Sequence, residues 1–353
     1  MIDLRSDTVS KPTAAMRQAI YDAEVGDNCF GDDAETLRLE AYCADYFGMP
    51  EALFMTGGTL SNQVAMKTLT NPGDEVVLHS AYHINFFEAA ATSAFSGVNF
   101  NLVDSEDGLY TATDLERIHR TKARWNANYA APRVVVIENT VGSKGGTVFP
   151  LAEMAEIARW THRVGARVYL DGARILHACA ATGIDIKEYT QHVDAMAVCM
   201  SKGLGAPIGS ILLGDSAFIA QARKYRKWFG GDMHQSGIAA AGALHAMRHH
   251  VDRLGDDHDN VRLLHESLAA IPRIGRTYRG TNMLYVDIAG LGVPAARLVD
   301  ELREKGVLCL AWDDRTLRFV SCLDVDRKSM RRAADVIGSC LGHHAQPKVF
   351  AIS

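Results

Sequence analysis

The chain has 353 residues, 48% of them hydrophobic and 22% charged, the composition of a globular protein with a large core and a length that suits two domains. A net charge of −5 gives no electrostatic footing for nucleic acid or an anionic membrane. No apolar run reaches the ~18 residues of a spanning helix, and Met1-Ile2-Asp3-Leu4-Arg5 lacks the basic-then-apolar order of a secretory signal. A cytoplasmic location is therefore expected. The cysteines (Cys29, Cys43, Cys179, Cys199, Cys309, Cys322 and Cys340) are odd in number and irregularly spaced, with no C-x-x-C. Buried reduced thiols are expected, with neither a disulfide framework nor a metal site.

In chain order, β-branched runs predict strands at Glu51–Met55, Glu75–His79, Val98–Val103, Arg133–Glu138, Arg167–Leu170 and Ala195–Met200, with a shorter one at Ile211–Leu213. Amphipathic stretches at Leu60–Leu69, Ala81–Ser93 and Leu151–Val164 predict helices between them. This alternation implies an α/β fold with a mainly parallel sheet covered on both faces. The pattern changes near Leu254-Gly255. Helices at Val261–Ile271, Pro294–Lys305 and Lys328–Leu341 and strands at Met283–Ile288, Val307–Ala311 and Leu317–Ser321 predict a smaller α+β unit. The division is a large domain over residues 1–254, N-terminal segment included, a small one over 255–342, and a loose tail over 343–353.

In such sheets ligands sit at the carboxyl ends of the strands, and four of those ends carry polar signals. Thr56-Gly57-Gly58-Thr59-Leu60-Ser61-Asn62 turns from a strand into a helix. Its free N–H groups and the hydroxyls of Thr59 and Ser61 suit a phosphate, although Gly-rich turns are common. His83, after the Glu75–His79 strand, offers a ring to stack on a flat cofactor; most lone histidines are structural. Asp171, in Leu170-Asp171-Gly172-Ala173-Arg174, puts a carboxylate at the floor of the site, where it can pair with a protonated pyridine nitrogen or form a structural pair with Arg174. Lys202, in Met200-Ser201-Lys202-Gly203-Leu204-Gly205, follows a buried strand directly. Removing an amine from water favours its neutral form, the one that attacks an aldehyde. Phosphate turn, stacking ring, Asp and Lys occur in the order found in fold-type I pyridoxal-phosphate (PLP) enzymes, and the combination is stronger than its parts.

From about residue 1 to residue 341 the chain resembles the threonine aldolase branch of the β-eliminating-lyase family. The resemblance is carried by Asp3-Leu4-Arg5-Ser6-Asp7-Thr8-Val9, Gly31-Asp32-Asp33, Glu138-Asn139-Thr140, Asp171-Gly172-Ala173-Arg174, Ser201-Lys202-Gly203-Leu204-Gly205, Gln235-Ser236-Gly237 and Leu317-Arg318-Phe319-Val320. It implies pyridoxal 5'-phosphate held covalently by Lys202. Asp171 then pairs with the pyridine nitrogen, Gly58, Thr59 and Ser201 lie near the phosphate, and His83 stacks on the ring. Ser6, Arg174 and Arg318 hold the substrate carboxylate, a task suited to arginine's planar fork. A homotetramer or dimer with shared active sites follows from the same resemblance.

The chain departs from the family pattern at Phe30, Val141, His234 and Cys322, where tyrosine, histidine, arginine and histidine are usual; all four are expected on the substrate or phosphate side of the site. Aldol cleavage needs a base for the substrate's β-hydroxyl proton, and Val141 cannot serve. The candidates are His83, a water, Glu88 or an inward-swung His234, while Ser143-Lys144-Gly145-Gly146 reads as a solvated turn.

Three functions follow. The first is cleavage of a threonine-like or phenylserine-like β-hydroxy-α-amino acid to glycine and an aldehyde. The second is β-elimination on a 3-substituted amino acid, favoured by loss of the histidine. The third is a nicotinamide-dependent dehydrogenase or a non-catalytic binding protein. That reading rests on Gly203-Leu204-Gly205-Ala206-Pro207-Ile208-Gly209, which is one residue too long and too deep in the chain for a dinucleotide fingerprint. His249-His250 and His343-His344 lack a third metal partner and are read as solvated surface. The basic run Arg223–Trp228 is expected to shape the cofactor pocket or a subunit contact.

Overall fold

The computed structural model describes residues 1–122 and 127–346. A two-residue strand β1 (Ile2–Asp3) precedes the strands of the main sheet: β2 (Glu51–Met55), β3 (Glu75–His79), β4 (Asn99–Val103), β5 (Pro132–Glu138), β6 (Arg167–Asp171), β7 (Ala195–Cys199) and β8 (Ser210–Gly214). They form one seven-stranded sheet in the order β2-β8-β7-β6-β5-β3-β4. Strands β7, β6, β5, β3 and β4 are parallel, and β8 runs antiparallel to both its neighbours, β2 and β7. Strand β2 therefore points the same way as β7, and the carboxyl ends of β2, β3, β5, β6 and β7 meet on one edge. Helices on both faces explain why β3, β7 and β8 are buried at every residue.

Five further strands follow: β9 (Thr277–Arg279), β10 (Met283–Asp287), β11 (Val307–Leu308), β12 (Leu310–Asp313) and β13 (Thr316–Val320). Four make an antiparallel sheet in the order β12-β13-β10-β9, while β11 pairs in parallel with β1. Helices Leu254–Leu268, Ala295–Glu304 and Arg327–Ala345 supply its second core, with Val261, Leu298 and Ile337 fully buried. Leu4 is packed into this second core rather than the main one. Pairing of β1 with β11 draws residues 2–4 away from the large sheet with which the sequence reading grouped them.

Other differences have local causes. The expected helix over Ala81–Ser93 is two short helices, His83–Phe86 and Ala91–Ser96, separated where Ala89 and Ala90 take φ of 50° and 59°. The expected strand Val307–Ala311 is divided between β11 and β12, which serve different sheets. The last helix continues to Ala345 instead of ending at Leu341, because its apolar stripe (Ile337, Leu341, Ala345) stays buried; residues 347–353 of the expected tail lie outside the described residues. His250 and His344 are not solvated. His250 is 7% exposed with Nδ1 2.7 Å from the Leu204 carbonyl, and His344 Nε2 lies 2.8 Å from Glu301 Oε2. Helix Ala34–Phe47, which the sequence reading missed, starts on an Asp33 cap and stops at Gly48, whose φ of 63° suits glycine. Among the described residues all seven cysteines are free, and no helix is long and apolar enough to cross a membrane.

Candidate active site

The loops after the strands converge on two adjoining cavities of about 160 and 100 Å³ that share His83, Asp171, Ala173 and Lys202 in their walls. All nine residues singled out as cofactor- or substrate-binding line one or both. Gly58, Thr59 and Ser201 stand in the smaller, Ser6, Arg174 and Arg318 in the larger, and His83, Asp171 and Lys202 in both.

The smaller cavity begins at the amino end of helix Gly58–Leu69, where Gly57 provides no side-chain cap. The first-turn N–H groups are thus available to an anion. A methyl group on Gly58 would lie 2.7 Å from Cys199 Sγ, so this close approach of backbone to β7 needs glycine. Ser61 does not contribute as expected. Its hydroxyl is buried and donates to Ser210 Oγ at 2.9 Å.

Asp171 ends β6 at the centre of the floor and is 4% exposed. Oδ2 accepts from Asn62 Nδ2 at 2.9 Å and Oδ1 from the Ala173 N–H at 3.2 Å. Among the described residues no cation lies within ion-pair distance of it. Asn62, which sequence reasoning gave no role, is oriented by Tyr169, whose hydroxyl donates to Asn62 Oδ1 at 2.7 Å. Its amide nitrogen serves Asp171 and also Glu88 Oε1, at 2.7 Å. Glu88 is buried, bound further by Gln63, and its Oε1 lies 2.8 Å from His83 Nδ1. Glu88 therefore anchors the ring instead of facing the cavity. Burial disfavours the charged imidazole, but the Glu88 hydrogen bond and the Asp171 charge outweigh it and hold the His83 pKa above the usual value.

Glu138, the last residue of β5, also lines the larger cavity. It accepts the His83 N–H at 2.6 Å and the Gly142 N–H at 2.8 Å. Burial and the charge of Asp171 raise its carboxyl to about 7 against those two donors.

The two arginines have different surroundings. Arg174 grips buried Asp7 with two parallel bonds, Nε to Oδ2 at 2.7 Å and Nη2 to Oδ1 at 2.6 Å. Burial works against the Asp7 anion, yet Arg174 holds that carboxyl far below the usual range. Asn282 Nδ2 donates to the same carboxylate at 3.1 Å. Arg318, on β13, has a buried Nε with no partner, and no carboxylate lies within 4 Å of it among the described residues. Its guanidinium stands 5.6 Å from the Trp312 ring centre, and burial lowers its pKa.

The four departures from the family pattern do not line either cavity. Val141 is fully buried against Gly108, Cys322 is buried in the second core, and Phe30 is 84% exposed. His234 is two-thirds exposed and tied to Asp27 at 2.8 Å. The wall beside Val141 is made by Thr140, Gly142 and Ser143, so the turn read as solvated reaches the site. The basic run lies on helix Ser216–Trp228, where Arg226 is buried and bound to Asp232 and the Phe54 carbonyl, clear of both cavities.

Behind the Lys202 loop His177 Nδ1 faces His258 Nε2 at 3.0 Å, and His177 Nε2 is buried without a partner. Burial holds both rings neutral, lowering His177 to about 3 and His258 to about 4. An unfolded chain binds these protons near pH 6.5, so the stability they provide is present above that pH and is lost as pH falls toward 4. Urea unfolding at pH 7 and pH 5 is expected to show a loss approaching about 1.4 kcal/mol per pH unit for each ring. His177→Phe flattens that dependence.

A mostly parallel sheet gathers a glycine turn, a buried aspartate and a lysine that have no oppositely charged partner among the described residues, the arrangement of a fold-type I PLP enzyme. The model of the beta-eliminating lyase family matches residues 3–290. The chain belongs to that family. It is 35% identical over 339 residues to the low specificity L-threonine aldolase of Escherichia coli K12, covering 95% of this chain and 97% of that one. A solved threonine aldolase from Leishmania major superposes with a TM-score of 0.81 at 19% identity, covering 97% of this chain and 100% of that one. A chain described as SPT with PLP superposes with a TM-score of 0.74 at 18% identity over 98% of this chain and 88% of that one. The nicotinamide reading falls with the family assignment, and its glycines sit in the loop that carries Lys202.

Proposed function

We propose that the chain cleaves β-hydroxy-α-amino acids of the threonine or phenylserine type to glycine and an aldehyde, using pyridoxal 5'-phosphate. One observation carries the reading: Asp171, Lys202 and Arg318 line one cavity, and among the described residues none of them has an oppositely charged partner within ion-pair distance. A protonated pyridine nitrogen meets the need of Asp171, an aldehyde that of Lys202, and a substrate carboxylate that of Arg318. The residues fit the cofactor, which when bound supplies an electron sink for the pair released as the C–C bond breaks.

In this reading Lys202 is the covalent anchor and Gly58, Thr59 and Ser201 hold the phosphate. Asp171, fixed by Asn62, would keep the pyridine nitrogen protonated. His83 would cover the ring. Its Nδ1 is held by Glu88, and Nε2 has no partner among the described residues, so His83 is the group placed to take the β-hydroxyl proton. Arg318, Ser6 and Arg174, whose Nη1 takes no part in the Asp7 pair, orient the substrate carboxylate. Val141 lies outside the cavity walls, so that position supplies no observation in favour of elimination. We also propose the division into domains at about residue 254, a cytoplasmic location, and a homotetramer or dimer with shared sites; exposed Phe30 suits a subunit contact.

The test is product identity. Protein supplied with PLP is incubated with L-threonine, L-allo-threonine, phenylserine, serine and a cysteine S-conjugate, and glycine and 2-oxo acids are quantified separately. Glycine with an equimolar aldehyde is expected. A 2-oxo acid without glycine makes the chain an eliminating lyase.

A further inference from the structure

The larger cavity has an aromatic mouth that the proposed chemistry does not use. Phe87 and Trp312 line it beside Arg318 and His83. Their ring centres are 5.7 Å apart with planes at 55°, and the Phe87 ring lies 5.3 Å from that of His83. Phe86 adds an edge contact to Phe87 at 4.8 Å and a stacked one to Trp312 at 6.3 Å. Phe86 and Phe87 are nonetheless 60% and 49% exposed. Large apolar side chains left open beside polar groups mark a surface that meets a ligand.

The backbone aims Trp312 deliberately. The β12–β13 register shifts between Ala311 and Asp313, which leaves Trp312 at a bulge in the strand. Bulges of this kind re-aim one side chain, often beside an active site. Tyr285 then braces the indole edge-on at 5.1 Å, and its hydroxyl donates to the Gly142 carbonyl on the cavity wall at 3.0 Å. The Trp312 ring also lies against the guanidinium of Arg318. A substrate held at Arg318 by its carboxylate therefore carries its β-substituent within reach of these rings. A methyl group covers little of the Phe87 and Trp312 ring surface, whereas a phenyl ring covers far more and gains ring–ring contact.

We propose that Trp312, with Phe87, is a specificity-determining clamp that selects an aromatic substituent on the β-carbon over a methyl. The inference names the substrate class of the site proposed above and rests on that reading for the reaction, though not for binding. The clamp acts on a bound ring whether or not a bond is cleaved, because the gain comes from ring–ring contact and apolar burial.

L-phenylalanine and L-alanine have no β-hydroxyl to lose, so their binding to the holoenzyme is measured by calorimetry. The kcat/KM values for phenylserine and threonine are measured alongside. Phenylalanine is expected to bind at least about tenfold tighter than alanine, with kcat/KM favouring phenylserine in the same sense. Trp312→Leu brings both ratios to within about threefold of one, whereas Trp312→Phe keeps most of the preference. Phe87→Leu leaves the bulge intact and also reduces both ratios, which guards against a misfolded Trp312 variant. Equal binding of the two amino acids by the unaltered enzyme overturns the proposal. So do ratios left unchanged by both leucine variants. If no substrate is cleaved but the phenylalanine preference holds and is lost in Trp312→Leu, the clamp stands and the aldol reading falls.

Discussion

Lys202→Ala is expected to yield a protein that purifies without the visible absorbance of bound PLP and cleaves no β-hydroxy amino acid at a measurable rate. Lys202 stands three residues beyond the end of β7, and no carboxylate lies within ion-pair distance of its amine among the described residues. Among the described residues no other lysine lines either cavity, so none of them is placed to replace it as the covalent anchor. Loss of a group that forms a covalent link removes catalysis as a unit, by a factor on the order of 10⁴ or more. The fold should persist, since no ion pair is broken, and the thermal midpoint of the variant without cofactor should match that of the cofactor-free parent. Absorbance after dialysis against PLP, together with glycine release from phenylserine, is the check. A yellow and active Lys202→Ala protein overturns the assignment.

Arg318→Ala and Arg174→Ala are expected to fail in opposite ways. Arg318 lines the larger cavity, and its buried Nε has no partner among the described residues. Its loss removes the partner of the substrate carboxylate and raises KM, lowering kcat/KM on the order of 10² to 10³-fold, about 3–4 kcal/mol. The folded state loses little beyond the contact with the Trp312 ring, because among the described residues no carboxylate is stranded. Arg174 is already clamped to Asp7. Arg174→Ala leaves the buried Asp7 carboxylate without its counter-charge, with the Asn282 amide as a remaining donor, and costs about 3–5 kcal/mol of stability, seen as a lower urea midpoint before activity is considered. Arg318→Lys keeps the charge without the planar fork and recovers only part of the affinity. Similar stability losses in both alanine variants would refute the distinction.

The large sheet was legible because its strands are β-branched runs bounded by turns: β2 and β3 coincide with their predicted ranges, and β5 to β7 differ by a residue at one end. The site was legible for a related reason, since parallel strands of similar length deliver their last residues to one edge. What sequence could not show was partnership across the chain. Asp7 was visible only as part of an N-terminal motif, yet it decides that Arg174 is occupied and Arg318 free. Asn62 sits in the phosphate turn but acts through its side chain on Asp171 and Glu88. Trp312 carries no local signal, because its placement depends on a one-residue slip in strand pairing. The strand mis-read across Val307–Ala311 has the same origin, as two sheets share consecutive residues there. Val141 and Cys322 looked like changes in the site, but burial took both away from it.

The segment from Ile2 to Val9 joins both halves of this arrangement. It starts paired to Val307–Leu308 beside the small sheet and ends with Asp7 between Arg174 and Asn282. Arg318 and Trp312 belong to that same small sheet. The two cations are thus tied to one short segment, Arg174 through Asp7 and Arg318 through its own strand, where the Val320 N–H donates to the Leu4 carbonyl at 2.8 Å. If substrate at Arg318 steadies that segment, proteolysis near Ser10–Pro12 is expected to be slower with the amino acid bound than without it.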